Sequence, residues 1–456
     1  MKTLLGIDIG TTSVCAVLLS PESGETLKSV TLPNESELAP QFPFEKAQNP
    51  EKILETVKNA VTALGKSDIC AVGVTGQMHG ILYLDKDNRP CSPLYTWQDG
   101  RGNEKFSPSA TYAEHLSALT KIKAASGFGL TTHFYNKENG LVPKNAAKLS
   151  TIHDYTVSVI TNTAPVTHTS DAASLGFFDL EALDFDSAAL KKAGIDRAFL
   201  PTVKKDAETA GVTSGCEFLK DGIPVCVALG DNQASFLGSV KSPETSLLVN
   251  VGTGSQVSFV TNKKTAPPSG EIRPLYNDKY LFVGSSLCGG RAYGILKDFF
   301  FICSKAFGFE AKDLYKKMDE LALFAKETDG GGLFVNCEFC GTRENPEKRG
   351  AILNISDKNF TPQNLSLGVL KGVADELFNM YCEAKPLLDA KPLFLIGSGN
   401  GIRKSELWQR IFEEKFGMKL FIPKNTEEAS TGACIFAAAA SGLFKSVEDA
   451  QKSLLK

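Results

Sequence analysis

The chain has 456 residues, 42% of them hydrophobic and 22% charged, with a formal net charge of -3. That mixture supports large soluble cores and, at about 100–200 residues per domain, two or more domains. It offers no basic excess to grip nucleic acid, no apolar run of the ~18 residues that a spanning helix needs, and no signal-peptide pattern.

The first element is the apolar run Leu4–Ile9, followed by Gly10-Thr11-Thr12-Ser13 and the alternating run Val14–Leu18. This reads as strand, tight glycine turn, strand: a hairpin over Leu4–Leu18 that begins a sheet. A helix is expected over Pro50–Leu64. The Gly65-Lys66-Ser67 after it mimics the end of a Walker A loop, but Ala60 replaces the required first glycine and no strand precedes it. A short strand, Cys70–Val74, leads into Gly76-Gln77-Met78-His79-Gly80, and a second short run leads into Thr96-Trp97-Gln98-Asp99-Gly100-Arg101. Farther on, the apolar run Val225–Leu229 precedes Gly230-Asp231-Asn232-Gln233-Ala234-Ser235.

The opening pattern then returns. Leu247–Val251 and Gly252-Thr253-Gly254-Ser255 repeat the apolar run and the glycine–hydroxyl turn, and Val257–Val260 repeats the second strand, so a matching hairpin is expected over Leu247–Val260. In this copy Asn250 stands where Asp8 stood. Helices are expected over Asn364–Cys382 and Lys404–Phe416, and a strand at Phe394–Ile396 ends in Gly397-Ser398-Gly399-Asn400-Gly401. The alternation of strands and helices argues for α/β units. The repeat argues for two related domains, 1–237 and 238–456, with a cleft between them. Cys337 and Cys340 have no second Cys or His pair nearby, so zinc is not expected. The eleven cysteines, in no regular framework, fit a reduced, cytoplasmic setting.

A turn of glycine and hydroxyl residues clusters backbone N–H groups and lets an anion come close. One such turn reads as an ordinary β-turn. Two matched turns suggest a nucleotide polyphosphate held from both sides by Gly10, Thr11, Thr12 and Ser13 and by Gly252, Thr253 and Gly254. Asp8 at a strand end can help to hold Mg²⁺, directly or through water. Asn250 keeps hydrogen bonding without a second negative charge against triphosphate. Gly397, Ser398, Gly399 and Asn400 suit the close approach of a flat ligand such as adenine or ribose. The loops Gln77–His79 and Trp97–Arg101 mix an apolar wall with donors and acceptors, which suits a polyhydroxylated sugar. Each of their residues taken alone reads better as a turn residue or a satisfied core histidine. Asp231 is either an N-cap or a general base that takes a proton from an attacking hydroxyl.

These motifs, in order and over essentially the whole chain, resemble the FGGY carbohydrate kinases of the actin/Hsp70/hexokinase superfamily. Asp8–Thr12 resembles the family's first phosphate motif and Asn250–Ser255 its second. Gly397–Asn400 with Trp408 and Gln409 resembles its adenosine motif. Glu427–Ala433 is similar to the connecting helix. Gly341, Thr342 and Arg343 with Pro346, Arg349 and Gly350 match another family stretch. Gly76–Gly80 resembles the ketose-kinase branch. Thr96–Arg101, Gly230–Ser235 and Ser286–Gly290 look most like the sedoheptulokinase group, whereas Lys148–Tyr155 departs from the family's usual lysine–tryptophan segment.

The resemblance implies two duplicated ribonuclease H-like α/β domains, the N-terminal one for sugar and first phosphate loop, the C-terminal one for second phosphate loop and adenosine. It implies ATP and Mg²⁺ as cofactors and a ketose as substrate, sedoheptulose first and xylulose as the alternative. Asp231 would be the base, and Gln77, Met78, His79, Trp97, Gln98, Asp99, Arg101 and Asn232 would line the sugar. Gly290 would join the nucleotide loops, and Asp8 would lie beside the metal. A silent sugar sensor on the same fold should lack Asp231 or Asp8, and both are present. Neither nucleic acid nor membrane is an expected partner, and the residues leave the oligomeric state open, a homodimer included.

Overall fold

The computed structural model describes residues 2–455 except 328, 329, 343, 344 and 346. Arg343 and Pro346 of the matched stretch therefore lie outside the described residues. The chain divides into two compact units: Met1–Lys241 with Arg273–Lys279 and Asn425–Lys456, and Ser242–Ile272 with Tyr280–Lys424. Among the described residues, no helix is long and apolar enough to cross a membrane.

The first unit is built on a seven-stranded sheet. Its strands are β1 (Lys2–Ile9), β2 (Ser13–Leu19), β3 (Thr26–Pro33), β4 (Asp68–Gly76), β5 (Thr209–Val212), β6 (Pro224–Cys226) and β7 (Leu229–Gly230). Their order is β5-β6-β4-β1-β2-β3, with β7 also paired to β4. β1 and β2 form the expected antiparallel hairpin, Asp8 opposite Cys15. β4 runs parallel to β1 with Asp8 beside Thr75 and Ile9 beside Gly76, and β7 sets Gly230 beside Gly76. Leu4, Leu5, Ile7 and Ile9 are fully buried, as a central strand covered on both faces requires. The registers bring Asp8, Gly76 and Gly230 together at the carboxyl ends of parallel strands, where α/β folds place ligands. The apolar run expected over Val225–Leu229 is split into β6 and β7, with the Val227 N–H between them donating to Glu208 O at 2.9 Å.

The helix over Pro50–Leu64 starts with Asn49 accepting from the amides of Glu51 and Lys52, carries Pro50 in its first turn, and stops at Gly65 with φ 81°. The helix Glu428–Ala440 belongs by its contacts to the first unit, so the chain does not divide in a single cut at 237/238. The cause is packing at glycine. A Cβ on Gly6 would lie 2.1 Å from Ser430 O, one on Gly73 2.0 Å from Ala433 O, and one on Gly432 1.8 Å from Ala234 O. Only bare backbone lets this helix lie so close to β1, β4 and the helix Asp231–Ser239.

The second unit repeats the core of that plan. β8 (Ser246–Val251) and β9 (Ser255–Thr261) form an antiparallel hairpin. β10 (Lys279–Ser286) lies beyond β9, β11 (Phe394–Ser398) runs parallel to β8, and β12 (Leu420–Phe421) follows β11. As in the first unit, the hairpin's first strand carries a parallel neighbour and its second an antiparallel one. The helix expected over Asn364–Cys382 spans Pro362–Ala384. That expected over Lys404–Phe416 is two, Asn400–Lys404 and Glu406–Phe416, broken at Ser405, whose hydroxyl caps the second through the Trp408 amide.

Candidate active site

Asp231 is the first residue of the helix Asp231–Ser239, and Gly230 occupies the N-cap position with no side-chain cap. The carboxylate therefore does not cap its helix. It is partly buried, and its pKa is raised to about 6, first by burial and then by Asp171, with His153 and Arg273 pulling it back. Across the sheet, Asp8 is also partly buried. Its Oδ1 is fully buried and has no hydrogen-bond partner among the described residues. Burial, then Asp231 and Glu427, raise the Asp8 pKa to about 7, against the pull of His153. A carboxylate oxygen left bare among other carboxylates fits a divalent cation, whose charge would restore ionisation of the group.

The turn after β1 is tied down by side chains. Asn34 Nδ2 donates to Gly10 O at 2.9 Å, and Gln48 Nε2 donates to Thr11 O at 2.8 Å. Thr11 Oγ1 accepts from Trp97 Nε1 at 3.0 Å and donates to Gln77 Oε1 at 3.2 Å, while Gln77 Nε2 donates to Gln48 Oε1 at 2.8 Å. The first expected phosphate turn is thus joined to both expected sugar loops. Gln48, which no motif marks, is the bridge. Thr12 is exposed, and Ser13 opens β2.

The sugar-loop residues divide into two groups. Trp97 is 47% exposed, and Gln98 is exposed beside it. His79 adopts φ 73°, stacks on Phe128 at 4.9 Å, and places Nδ1 2.7 Å from Ser174 O. Asn232 is half-buried beside Asp231. Met78 is buried, with its thioether against Gly230, where a Cβ would lie 2.7 Å from the Met78 methyl. Asp99 and Arg101, expected to face the sugar, are only 1% and 2% exposed. They form a bidentate pair, Nε–Oδ1 at 2.6 Å and Nη2–Oδ2 at 3.0 Å, with the guanidinium 4.1 Å from the Tyr95 ring and also bonded to Asn136. Two residues apart on one turn, they spend their charges on each other and shape the loop from within.

In the second unit, Gly252, Thr253 and Gly254 form the turn, and backbone amides hold it. The N–H groups of Gly289, Gly290 and Arg291 donate to Thr253 O, Gly252 O and Thr253 O at 2.9, 2.8 and 3.1 Å. Gly290 begins the helix Gly290–Ala306, and a Cβ there would lie 2.7 Å from Gly252 O. Asn250 Nδ2 donates to Ser398 Oγ at 2.8 Å, which ties the second hairpin to the loop Gly397–Asn400. Gly399 has φ 84° and packs on Val251, while Asn400 is exposed at the start of its helix. Trp408, expected with the adenosine motif, is 2% exposed, its Nε1 donating to Leu370 O at 3.0 Å, and Gln409 donates to Ile402 O. Both support that loop from inside. A cavity of about 470 Å³ elsewhere in this unit is lined, among the described residues, by Glu271, Glu338, Asp375, Glu376 and Glu383 against one cation, Lys348. That lining is unsuited to a polyphosphate.

Beneath Asp231 lies a group that no motif announced. His153, Asp154 and Asp171 are fully buried. His153 Nε2 is 2.9 Å from Asp171 Oδ1. Burial alone would pull the His153 pKa down, but Asp171 lifts it to about 9, so the imidazole is a cation at neutral pH.

Models of the FGGY family of carbohydrate kinases match residues 3–238 (N-terminal domain) and 247–441 (C-terminal domain). The chain is 27% identical over 473 residues to the sedoheptulokinase of Mus musculus, covering 94% of this chain and 96% of that protein. Its fold is similar to that of gluconate kinase from Lactobacillus acidophilus, with a TM-score of 0.86 at 19% identity over 100% of this chain and 92% of the other. It is also similar to Plasmodium falciparum glycerol kinase with ADP, with a TM-score of 0.82 at 18% identity over 100% and 92%.

Proposed function

The chain belongs to the FGGY family of carbohydrate kinases, and on that premise we propose that it transfers the γ-phosphoryl group of ATP to the terminal hydroxyl of a ketose, sedoheptulose giving sedoheptulose 7-phosphate. The observation that carries the chemistry is Asp231: a partly exposed carboxylate, freed from capping by Gly230, beside the bare Oδ1 of Asp8. Asp231 accepts the proton of the sugar hydroxyl as its oxygen bonds to the γ-phosphorus and the bond to the bridging oxygen breaks, releasing ADP. With its pKa near 6, the carboxylate is ionised at neutral pH. Gly10–Ser13 and Gly252–Gly254 hold polyphosphate through backbone amides, and Gly397–Asn400 approaches the adenosine. Mg²⁺ beside Asp8 supplies neutralising charge to the polyphosphate when bound. Trp97, Gln98, His79 and Asn232 contact the sugar, while Gln77, only 2% exposed with both ends of its amide bonded to Thr11 and Gln48, joins Asp99, Arg101 and Met78 in holding the loops that present them.

The seven-carbon substrate is supported by the resemblance at Thr96–Arg101 and Gly230–Ser235 and by the similarity to the mouse protein. The test is ADP release measured with sedoheptulose, xylulose, ribulose, gluconate and glycerol. The largest kcat/KM is expected with sedoheptulose. A clear preference for xylulose would move the assignment to a xylulokinase. ADP release with none of them would return the silent sensor.

A further inference from the structure

The group beneath Asp231 is expensive. Taking an ion pair out of water costs more than the pairing usually returns, and apolar side chains of similar volume commonly serve stability as well or better. A His–Asp pair with no exposed surface therefore calls for a role other than stability, and its connections indicate one.

The Gly230 N–H, one residue before Asp231, donates to Ser170 Oγ at 3.1 Å. Ser170 Oγ in turn lies 2.9 Å from His168 Nδ1 and 3.3 Å from Asp171 Oδ2, and the other oxygen of Asp171 faces His153 Nε2 at 2.9 Å. On the far side of the imidazole, Nδ1 lies 3.3 Å from where a Cβ on Gly76 would be. Gly76 is the strand residue paired on one side with Ile9, next to Asp8, and on the other with Gly230. Thr75 Oγ1 pins the same turn from β4 by donating to Leu229 O at 2.6 Å. The turn that presents Asp231 is thus held by two hydroxyls, one of which leads into the buried pair. The same ring lies under the strand that separates Asp8 from Asp231.

We propose that the buried His153–Asp171 ion pair, acting through Ser170 on the Gly230 backbone, is a positioning element that fixes the direction in which Asp231 meets the sugar hydroxyl. The proposal rests on Asp231 being the base. None of His153, Asp171 or Ser170 touches substrate. Their effect falls on the alignment of the carboxylate and hence on kcat, where small misplacements are costly. His153, Asp154 and Asp171 also have atoms within 4.8 Å of one another, as a cation site would. His153 Nε2 and Asp171 Oδ1 are in direct contact at 2.9 Å, too close for an ion to lie between them.

The experiment is a double-mutant cycle on the full chain, with Asp171→Asn and Asp231→Asn singly and together, reading kcat, both KM values and the melting temperature. Asp171→Asn is expected to lower kcat about 10- to 100-fold, with both KM values within about twofold, and to cost little further once Asp231 is Asn. Ser170→Ala, a smaller change, should show the same split, and Ser170→Thr should restore kcat. Equal losses from Asp171→Asn in both backgrounds, or losses that follow only the folded fraction in Asp171→Asn and Ser170→Ala alike, overturn the proposal. A fully active Asp231→Asn enzyme is a separate result: it overturns the base itself.

Discussion

The two glycine hairpins share a backbone plan and differ in everything that titrates. In the first, Asp8 has a buried oxygen with no partner and sits among Asp231, Glu427 and His153. In the second, Asn250 gives its amide to Ser398 at 2.8 Å. The turns are held differently too. The side chains of Gln48, Gln77 and Trp97 grip the first through Thr11, whereas the amides at the start of the helix Gly290–Ala306 grip the second. One scaffold thus carries an acidic group beside a turn tied to the Gln77 and Trp97 loops in one unit and a neutral amide beside a turn tied to a helix terminus in the other.

Exchanging the polar residue should break this contrast most severely. Asp8→Asn gives the first hairpin the chemistry of the second. Phosphoryl transfer is expected to fall by about 100-fold or more as the metal's carboxylate is lost, with sugar affinity nearly unchanged in calorimetric titration. Because the carboxylate is disfavoured by burial, the variant should also gain on the order of 1 kcal/mol in denaturation at pH 8. Unchanged Mg²⁺ dependence would remove Asp8 from the metal's neighbourhood. The reverse exchange, Asn250→Asp, places a second negative charge against triphosphate and gives up the bond to Ser398. Its expected signature is an ATP KM raised about tenfold, with the sugar KM unaffected.

The grips themselves come next. Gly290→Ala puts a methyl 2.7 Å from Gly252 O, so the helix start must back away from the second turn. A loss of about 1–3 kcal/mol in stability is expected, together with a higher ATP KM. On the first turn, Gln48→Ala removes the bridge between Thr11 and Gln77. About 1 kcal/mol per lost hydrogen bond corresponds to several-fold in KM, and here it should appear with the sugar as well as with ATP. An effect confined to ATP would show that the two turns are held independently of the sugar loops.

The hairpins were readable in the sequence because a strand, a glycine–hydroxyl turn and a second strand leave a local signature, repeated in order. The place of Asp231 after a strand end was readable because an apolar run precedes it. The direction of side chains was not. Asp99 and Arg101 look like sugar contacts in one dimension and prove to be a buried pair under the Tyr95 ring. Trp408 looks like part of an adenosine wall and is core. His153, Ser170 and Asp171 carry no spacing that marks them, since what joins them to Gly230 is the pairing of β4 with β7 and the packing of two helices against it. The return of Glu428–Ala440 to the first unit depends on Gly6 and Gly73 facing its backbone and on its own Gly432 facing Ala234, which no single stretch displays.

The smallest expected effect is a titration that belongs to one hairpin alone. In the folded chain the His153 pKa is raised to about 9, above the ~6.5 of an unfolded histidine. The folded state therefore holds this proton more tightly. The stability it contributes is fully present below about pH 6.5 and is lost as pH rises toward 9. Lower down, Asp8 and Asp231, raised to about 7 and about 6, would likewise favour the folded state as pH falls. His133 and His168, both pushed down to about 4 by burial, act in the opposite sense there. Asp154 and Glu376, also raised to about 7 by burial, titrate with Asp8, so the clean window runs from about pH 7.5 to about pH 8.5, above these carboxyl groups and the histidines and below the thiols. Chemical denaturation across it should show the wild type losing on the order of 1 kcal/mol. His153→Gln should flatten most of that slope. Ser398→Ala, which removes the partner of Asn250 in the neutral hairpin, should lower stability without changing the slope. If His153→Gln keeps the full wild-type slope, the proton is not held at His153, and the electrostatic difference between the hairpins must rest on Asp8 alone.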